Sequence, residues 1–258
     1  MNSIFNFTEN NGEVIITGLK EGISDTSIVI PETIDGMPVT AIGAKAFEFT
    51  TITDIKIGKN IKKIGEKAFY KCNKLRSVTW SHKCDVIPVG CFFGCSNLMQ
   101  FDFSDIKKVD RAAFYESGLK EVCLPENIEV VSEWAFFECK KLSSVIWNCK
   151  CNVIPVDCFA RCSDLTQFDF SNIKRIEVRA FRDSGLTSVT LNEETEVGEC
   201  CFSNCNDLEK IEWLSGQAIK DSIFAGCKNI KEIFISDRVM DIAVDAFSSS
   251  PNAEISFI

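Results

Sequence analysis

The chain has 258 residues, 45% hydrophobic and 25% charged, enough to bury a sizeable core. Its formal net charge of −9 opposes a general role on nucleic acid or anionic lipid, whose phosphates attract Lys/Arg-rich surfaces. No window approaches the roughly 20 apolar residues that span a bilayer, so membrane insertion is not expected.

The opening MNSIFNFTENNGEVIITG has no basic stretch ahead of a long apolar core and does not read as a signal peptide. NGEVIITG and TSIVIPETIDGMPVTAIG are short β-type runs broken by Gly and Pro, so residues 1–40 are expected to form an N-terminal cap with the first strands. From there a small residue followed by Phe recurs at Phe47, Phe69, Phe92, Phe114, Phe136, Phe159, Phe181, Phe202, Phe224 and Phe247, at intervals of 21 to 23 residues. Residues 41–258 are therefore read as ten repeats, which with the cap make a single repeat domain.

Other columns keep step with the Phe. Three residues after it stands Cys or Ser, as at Cys72, Cys95, Ser117, Cys139 and Cys162, with Thr50 in the first unit. Three apolar residues then follow in an L-x-x-L-x-L pattern, for example Leu142, Val145 and Trp147, ending in the alternation of a strand. A longer period overlies the short one. CDVIPVGCFFGCSNLMQFDFSDIK and CNVIPVDCFARCSDLTQFDFSNIK lie one three-unit block apart. The physical reading is a solenoid in which each unit is one coil and equivalent residues stack about 4.8 Å apart. The Phe side chains then form an internal spine, each contributing roughly 1.5–3 kcal/mol on burial.

Units such as IGEKAFYKCNKLRSVTW and IPVGCFFGCSNLMQFDF resemble the BspA-like subclass of leucine-rich repeats, the microbial surface-antigen type, and the opening IPETIDGMPVTAIGAKAF is similar to that family's first unit. The resemblance implies a leucine-rich repeat solenoid, right-handed and curved, with a parallel β-sheet on the concave face and short helical or extended turns on the convex face. It also implies protein binding, as in adhesins and surface antigens, and so a place at the cell surface. The missing signal peptide and thiols expected to be free favour the cytoplasm instead.

The fourteen Cys admit three readings. Pairs such as Cys91 and Cys95, Cys158 and Cys162, Cys201 and Cys205, and Cys149 with Cys151 have spacings open to zinc. Cys72 with Cys95, or Cys139 with Cys162, lie in adjacent coils, open to a disulfide. Ala and Ser fill the same columns in other units, which favours small core fillers, since a ligand cannot be exchanged for Ala. No cofactor or metal is expected. His82, beside Lys83 and Cys84, reads as a surface turn residue, because the duplicate block has Cys149 in its place. No G-x-S-x-G, H-E-x-x-H or P-loop occurs, so no catalytic residue is assigned.

Trp80, Trp147 and Trp213 occupy the last inward strand position and are expected in the core, whereas Trp134, before an Ala-Phe pair, is placed exposed on the convex side. Strand alternation turns the intervening residues, such as Ser77, Thr79 and Ser81, to the concave surface. The binding residues expected there are Gln100, Asp102, Glu121, Ile146, Gln167, Asp169, Lys210, Glu212, Glu232 and Phe234. Acids with interspersed apolar groups suit a protein partner with a basic, partly apolar patch. A second reading is self-association through an open edge at the C-terminal strand, near Ile255 and Phe257.

Overall fold

The computed structural model describes residues 3–80 and 84–258. It opens with a hairpin, Phe5–Asn10 against Glu13–Leu19, turned by Asn11 and Gly12 at φ 50° and 75°. Two left-handed residues are what a two-residue turn between twisted strands requires. Glu13–Leu19 then runs parallel to Met37–Ile42, burying Val14 and Ile16, and the Phe5 ring meets Phe47 edge-on at 6.4 Å.

The coils that follow carry two parallel ladders. One is built of four-residue strands: Asp54–Ile57, Ser77–Trp80, Glu121–Leu124, Ser144–Trp147, Ser188–Leu191, Lys210–Trp213, Glu232–Ile235 and Glu254–Phe257. Alternation explains them: Val122 and Leu124 are buried while Glu121 and Cys123 are exposed. This strand face is the one expected to be concave. The other ladder uses two-residue strands such as Lys108–Val109 and Val130–Val131.

The remaining side, the turn face, departs from the expected helical turns. No helix is present among the described residues. The eight coils from Phe47 to Phe202 instead make successive tight turns with two left-handed residues four apart, for instance Ala112 and Glu116, Trp134 and Glu138, Asp157 and Arg161. The cause is hydrogen bonding between coils. A left-handed residue directs its N–H to the next coil: Ala112 to Glu133 O (3.1 Å), Glu116 to Phe137 O (2.9 Å), Glu138 to Ala160 O (2.8 Å). A helix would have used these amides within its own coil, leaving the stack unbonded on this side.

The long-strand ladder is also interrupted, at the two coils that share Gln-Phe-Asp-Phe. Residues 100–103 and 167–170 form no strand. At the first inward position Phe101 and Phe168 replace the Val of neighbouring coils, while at the second Phe103 and Phe170 each stand between a Trp and a Leu. Phe168 and Phe170 crowd Phe181 at 5.0 and 5.3 Å, and Phe101 and Phe103 crowd Phe114 at 4.9 and 5.4 Å. We attribute the lost pairing to this crowding, because close packing leaves extra ring volume no outlet except coil separation.

Inside, the ten repeat Phe rings make one continuous stack. Successive centroids lie 5.3–5.8 Å apart with planes within 26° of parallel. Beside it runs the Cys/Ser column. Cys72, Cys95, Cys139, Cys162, Cys205 and Cys227 each donate S–H to the carbonyl of the repeat Phe one coil earlier, at 2.9–3.2 Å. Ser250 instead bonds Cys227 O at 2.7 Å. A small buried donor is what the site needs, which is why thiol and hydroxyl interchange there. Burial pushes the Cys72 thiol up to about 11 and that of Cys139 to about 12.

Candidate functional site

The strand face presents two outward columns in register. Glu121 pairs with Ser144 and Cys123 with Ile146; Lys210 pairs with Glu232 and Glu212 with Phe234. Six of the ten expected binding residues, Glu121, Ile146, Lys210, Glu212, Glu232 and Phe234, thus sit on paired strands. Gln100, Asp102, Gln167 and Asp169 lie on the two coils without strands. Ser81 and His82 fall outside the described residues.

Near the C-terminal end the structure gathers four of these side chains. Lys210 Nζ reaches Glu212 Oε1 at 2.7 Å and lies 5.1 Å from the Phe234 ring centre, with Glu232 alongside on the next strand. Thr190 donates to Glu212 Oε2 at 3.1 Å. The Lys210 ammonium and hydroxyl bonds hold the Glu212 carboxyl below the usual carboxylate value against a smaller opposing effect of burial. Lys210 and Glu212 neutralise each other, so the net acid of this end comes from Glu232 and from Glu254, its register partner on the last strand.

The middle of the face is different. No backbone hydrogen bond joins Ser144–Trp147 to the 167–170 segment, and a groove of about 410 Å³ opens there, bordered by Ser144, Val145, Gln167, Phe168, Asp169 and Ser188. Ile146, 48% exposed, stands on the strand forming one wall. The carboxylates of Asp102 and Asp169 accept from the N–H of Ser104 (3.0 Å) and Ser171 (2.9 Å), so both also brace the turn that leaves the coil.

The turn face holds a cluster that reading the strands alone does not find. Trp134 is half-buried there, where exposure was expected. The Arg111 guanidinium lies 4.3 Å from its ring centre, and its indole N–H donates to Asp157 Oδ2 at 3.0 Å. Asp157 is buried and accepts a second, two-pronged contact from Arg179, at 3.0 and 2.8 Å. Next to it runs a second ladder of rings, Tyr70, Phe93, Tyr115 and Phe137, each one residue after a spine Phe. Aromatic residues at that offset in four consecutive units were the available signal.

The model for the BspA type leucine rich repeat region matches in six copies, through residues 21–143, 103–209 and 152–258. The chain is a member of the BspA-type leucine-rich-repeat family. Among solved structures it is similar to a leucine-rich repeat protein from Bacteroides ovatus ATCC 8483, with a TM-score of 0.75 and 23% identity over 96% of this chain and 79% of the other. It is also similar to a leucine rich cell surface protein from Faecalibacterium prausnitzii A2-165, with a TM-score of 0.57 and 21% identity over 100% and 94%. At these identities the likeness speaks for the fold. No curated protein matches the sequence. As a BspA-type solenoid the chain offers two chemically distinct surfaces, the grooved strand face and the aromatic turn face. Among its described residues no helix is long and apolar enough to cross a membrane, and no group of three or more His, Cys, Asp or Glu is arranged to hold a metal ion.

Proposed function

We propose that the protein is a non-enzymatic scaffold that binds a protein partner across its strand face. The observation that carries this reading is Ile146, an exposed apolar side chain on the strand that borders the groove, with Glu121 on the adjacent strand and Asp169 at the groove's edge. A basic segment with an apolar side chain suits that combination. The family's scaffold architecture supports binding over catalysis, and so do thiols pushed up by burial, which are poor nucleophiles at neutral pH. The cell-surface description of the Faecalibacterium relative supports an adhesin or surface-antigen role.

Affinity capture from the source organism with the full chain as bait tests it. The same bait carrying Glu121→Lys, Ile146→Asp and Glu232→Lys should lose the principal partner while keeping its melting temperature. Asp102 and Asp169 are poorer choices, because reversal there also disturbs the turns they brace. Undiminished capture by the triple variant would remove the strand face from consideration.

A second reading is self-association at the strand Glu254–Phe257. Among the described residues it is paired only with Glu232–Ile235, and it leaves Ile255 and Phe257 48% and 67% exposed. Sedimentation that shows a concentration-independent monomer would exclude this.

A further inference from the structure

Cys149 and Cys151 stand apart from the thiols of the repeat column, which are buried and turn their S–H to a Phe carbonyl one coil earlier. Cys151 holds a place that Ile61, Ile106, Ile128 and Ile173 fill in other coils, all of them buried. Its Sγ faces Ile128 O at 3.8 Å, as that of Cys84 faces Ile61 O at 3.6 Å. The smaller side chain leaves Cys151 half-buried, and Cys149, two residues before it, is half-buried too. Among the described residues no further Cys, His, Asp or Glu joins them in a group of three, so the pair falls short of a zinc site.

The loop that carries the two thiols can close on itself. The chain bends at Cys149 and Lys150, which draws residues two apart toward the roughly 5.5–6 Å Cα separation usual in disulfides. The loop also lies where its coil changes neighbours. Ser144–Trp147 pairs with Glu121–Leu124 of the coil before, whereas Val153–Ile154 pairs with Arg175–Ile176 of the coil after and not with Val130–Val131. Pro155 explains the change, since it lacks the N–H that Ser132 and Glu177 give to Val109 O and Ile154 O, both at 2.9 Å. Among the described residues, the backbone N–H groups of Cys149, Lys150 and Cys151 donate to no backbone carbonyl, so a bridge here breaks no ladder bond. The Cys151 carbonyl is anchored by the Trp147 indole N–H at 2.6 Å and has Cys149 Sγ at 3.9 Å.

The two thiols share a hydrogen bond, which separates their acidities. It holds Cys151 below the ordinary 9.0 and pushes Cys149 above it. A thiol that donates to its neighbour's thiolate suits a dithiol in which one sulfur attacks and the other resolves. We propose that Cys149 and Cys151 form a thiol–disulfide exchange site that reacts with low-molecular-weight disulfides and closes to a bridge within the loop. With glutathione disulfide, the Cys151 thiolate attacks one sulfur, and the first glutathione leaves with the proton that Cys151 gave up. Cys149 then attacks Cys151 Sγ and breaks the mixed disulfide, its proton leaving with the second glutathione. The dithiol is oxidised and the glutathione disulfide is reduced to its thiols. The site is independent of the partner proposed for the strand face.

The experiment treats the reduced full-length protein with glutathione disulfide, quenches it with N-ethylmaleimide in denaturant and maps the products by mass spectrometry. Trypsin cuts after Lys150, between the two cysteines, so the bridge should keep fragments 142–150 and 151–161 joined until reduction. Cys123, exposed on the strand face, is the control and should gain glutathione without a bridge. Cys149→Ser should stop at a glutathione adduct on Cys151. Cys151→Ser should slow the reaction of Cys149 by about tenfold or more. Cys158→Ala, which removes the other cysteine of fragment 151–161, should leave the link intact. The link in the unmodified chain tests the pairing without any variant. Retention of both thiols under conditions that modify Cys123, a bridge from either to another cysteine, a stable glutathione adduct on both, or equal rates in the two serine variants would each overturn the proposal.

Discussion

The Phe136 and Phe159 rings stack 5.6 Å apart with planes 5° from parallel, although 23 residues separate them in sequence. Phe136 also stacks on Phe114 at 5.7 Å, so its removal breaks contact with two coils at once. Phe136→Ala should cost about 3–5 kcal/mol in denaturant unfolding, as a buried Phe truncation that leaves a cavity does. A loss below about 1 kcal/mol would contradict a continuous spine.

Ala112 and Ala113 are neighbours with opposite conformational demands. Ala112 sits at φ 53°, where a β-carbon is strained, while Ala113 is fully buried beside the spine. Ala112→Gly should be neutral or stabilising by up to about 1 kcal/mol, the released strain offsetting the unfolded chain's greater entropy. Ala113→Gly should destabilise by about 1 kcal/mol or more, through lost packing and entropy. Thermal melts of the two variants side by side check the pattern.

Ten of the fourteen cysteines are buried; Cys123 is exposed, and Cys149, Cys151 and Cys200 are half-buried. Burial lifts Cys72 and Cys84 to about 11 and Cys139 to about 12, so they hold almost no thiolate at pH 8. Alkylation of the native protein at that pH should mark Cys123 first and the three half-buried thiols more slowly. The other ten should react only on unfolding, as mass spectrometry can count.

Asp54 shows a pH dependence of known sign. Its carboxylate accepts from Ser77 Oγ at 2.5 Å and Thr53 Oγ1 at 2.7 Å, and these bonds, with a smaller contribution from Arg76, hold it below its ordinary 3.8. A depressed carboxyl adds stability that is fully present above the unfolded value and is lost as pH falls through the folded one. Ser77→Ala should therefore raise the Asp54 titration midpoint, read by NMR. It should also narrow the gap in stability between pH 6 and pH 3.

The coil period, the Phe spine and the interchange of Cys with Ser were legible in the chain itself, because each coil repeats one local pattern and buries the same columns. Alternation likewise assigned Glu121 and Ile146 to the outer face and Val122 and Trp147 to the inner one. What alternation could not carry is the effect of neighbouring coils on one another. Gln100, Asp102, Gln167 and Asp169 fit the strand pattern, yet their coils form no strand once the flanking Phe rings crowd the spine. Trp134 reads as a lone surface aromatic until stacking sets Arg111 on its ring and Asp157 at its indole. The left-handed turns are decided in the same way, since amides of Glu116 and Glu138 find their acceptors only in the coil stacked beside them. Local periodicity specifies the unit, and contacts between units some 22 residues apart specify its surfaces.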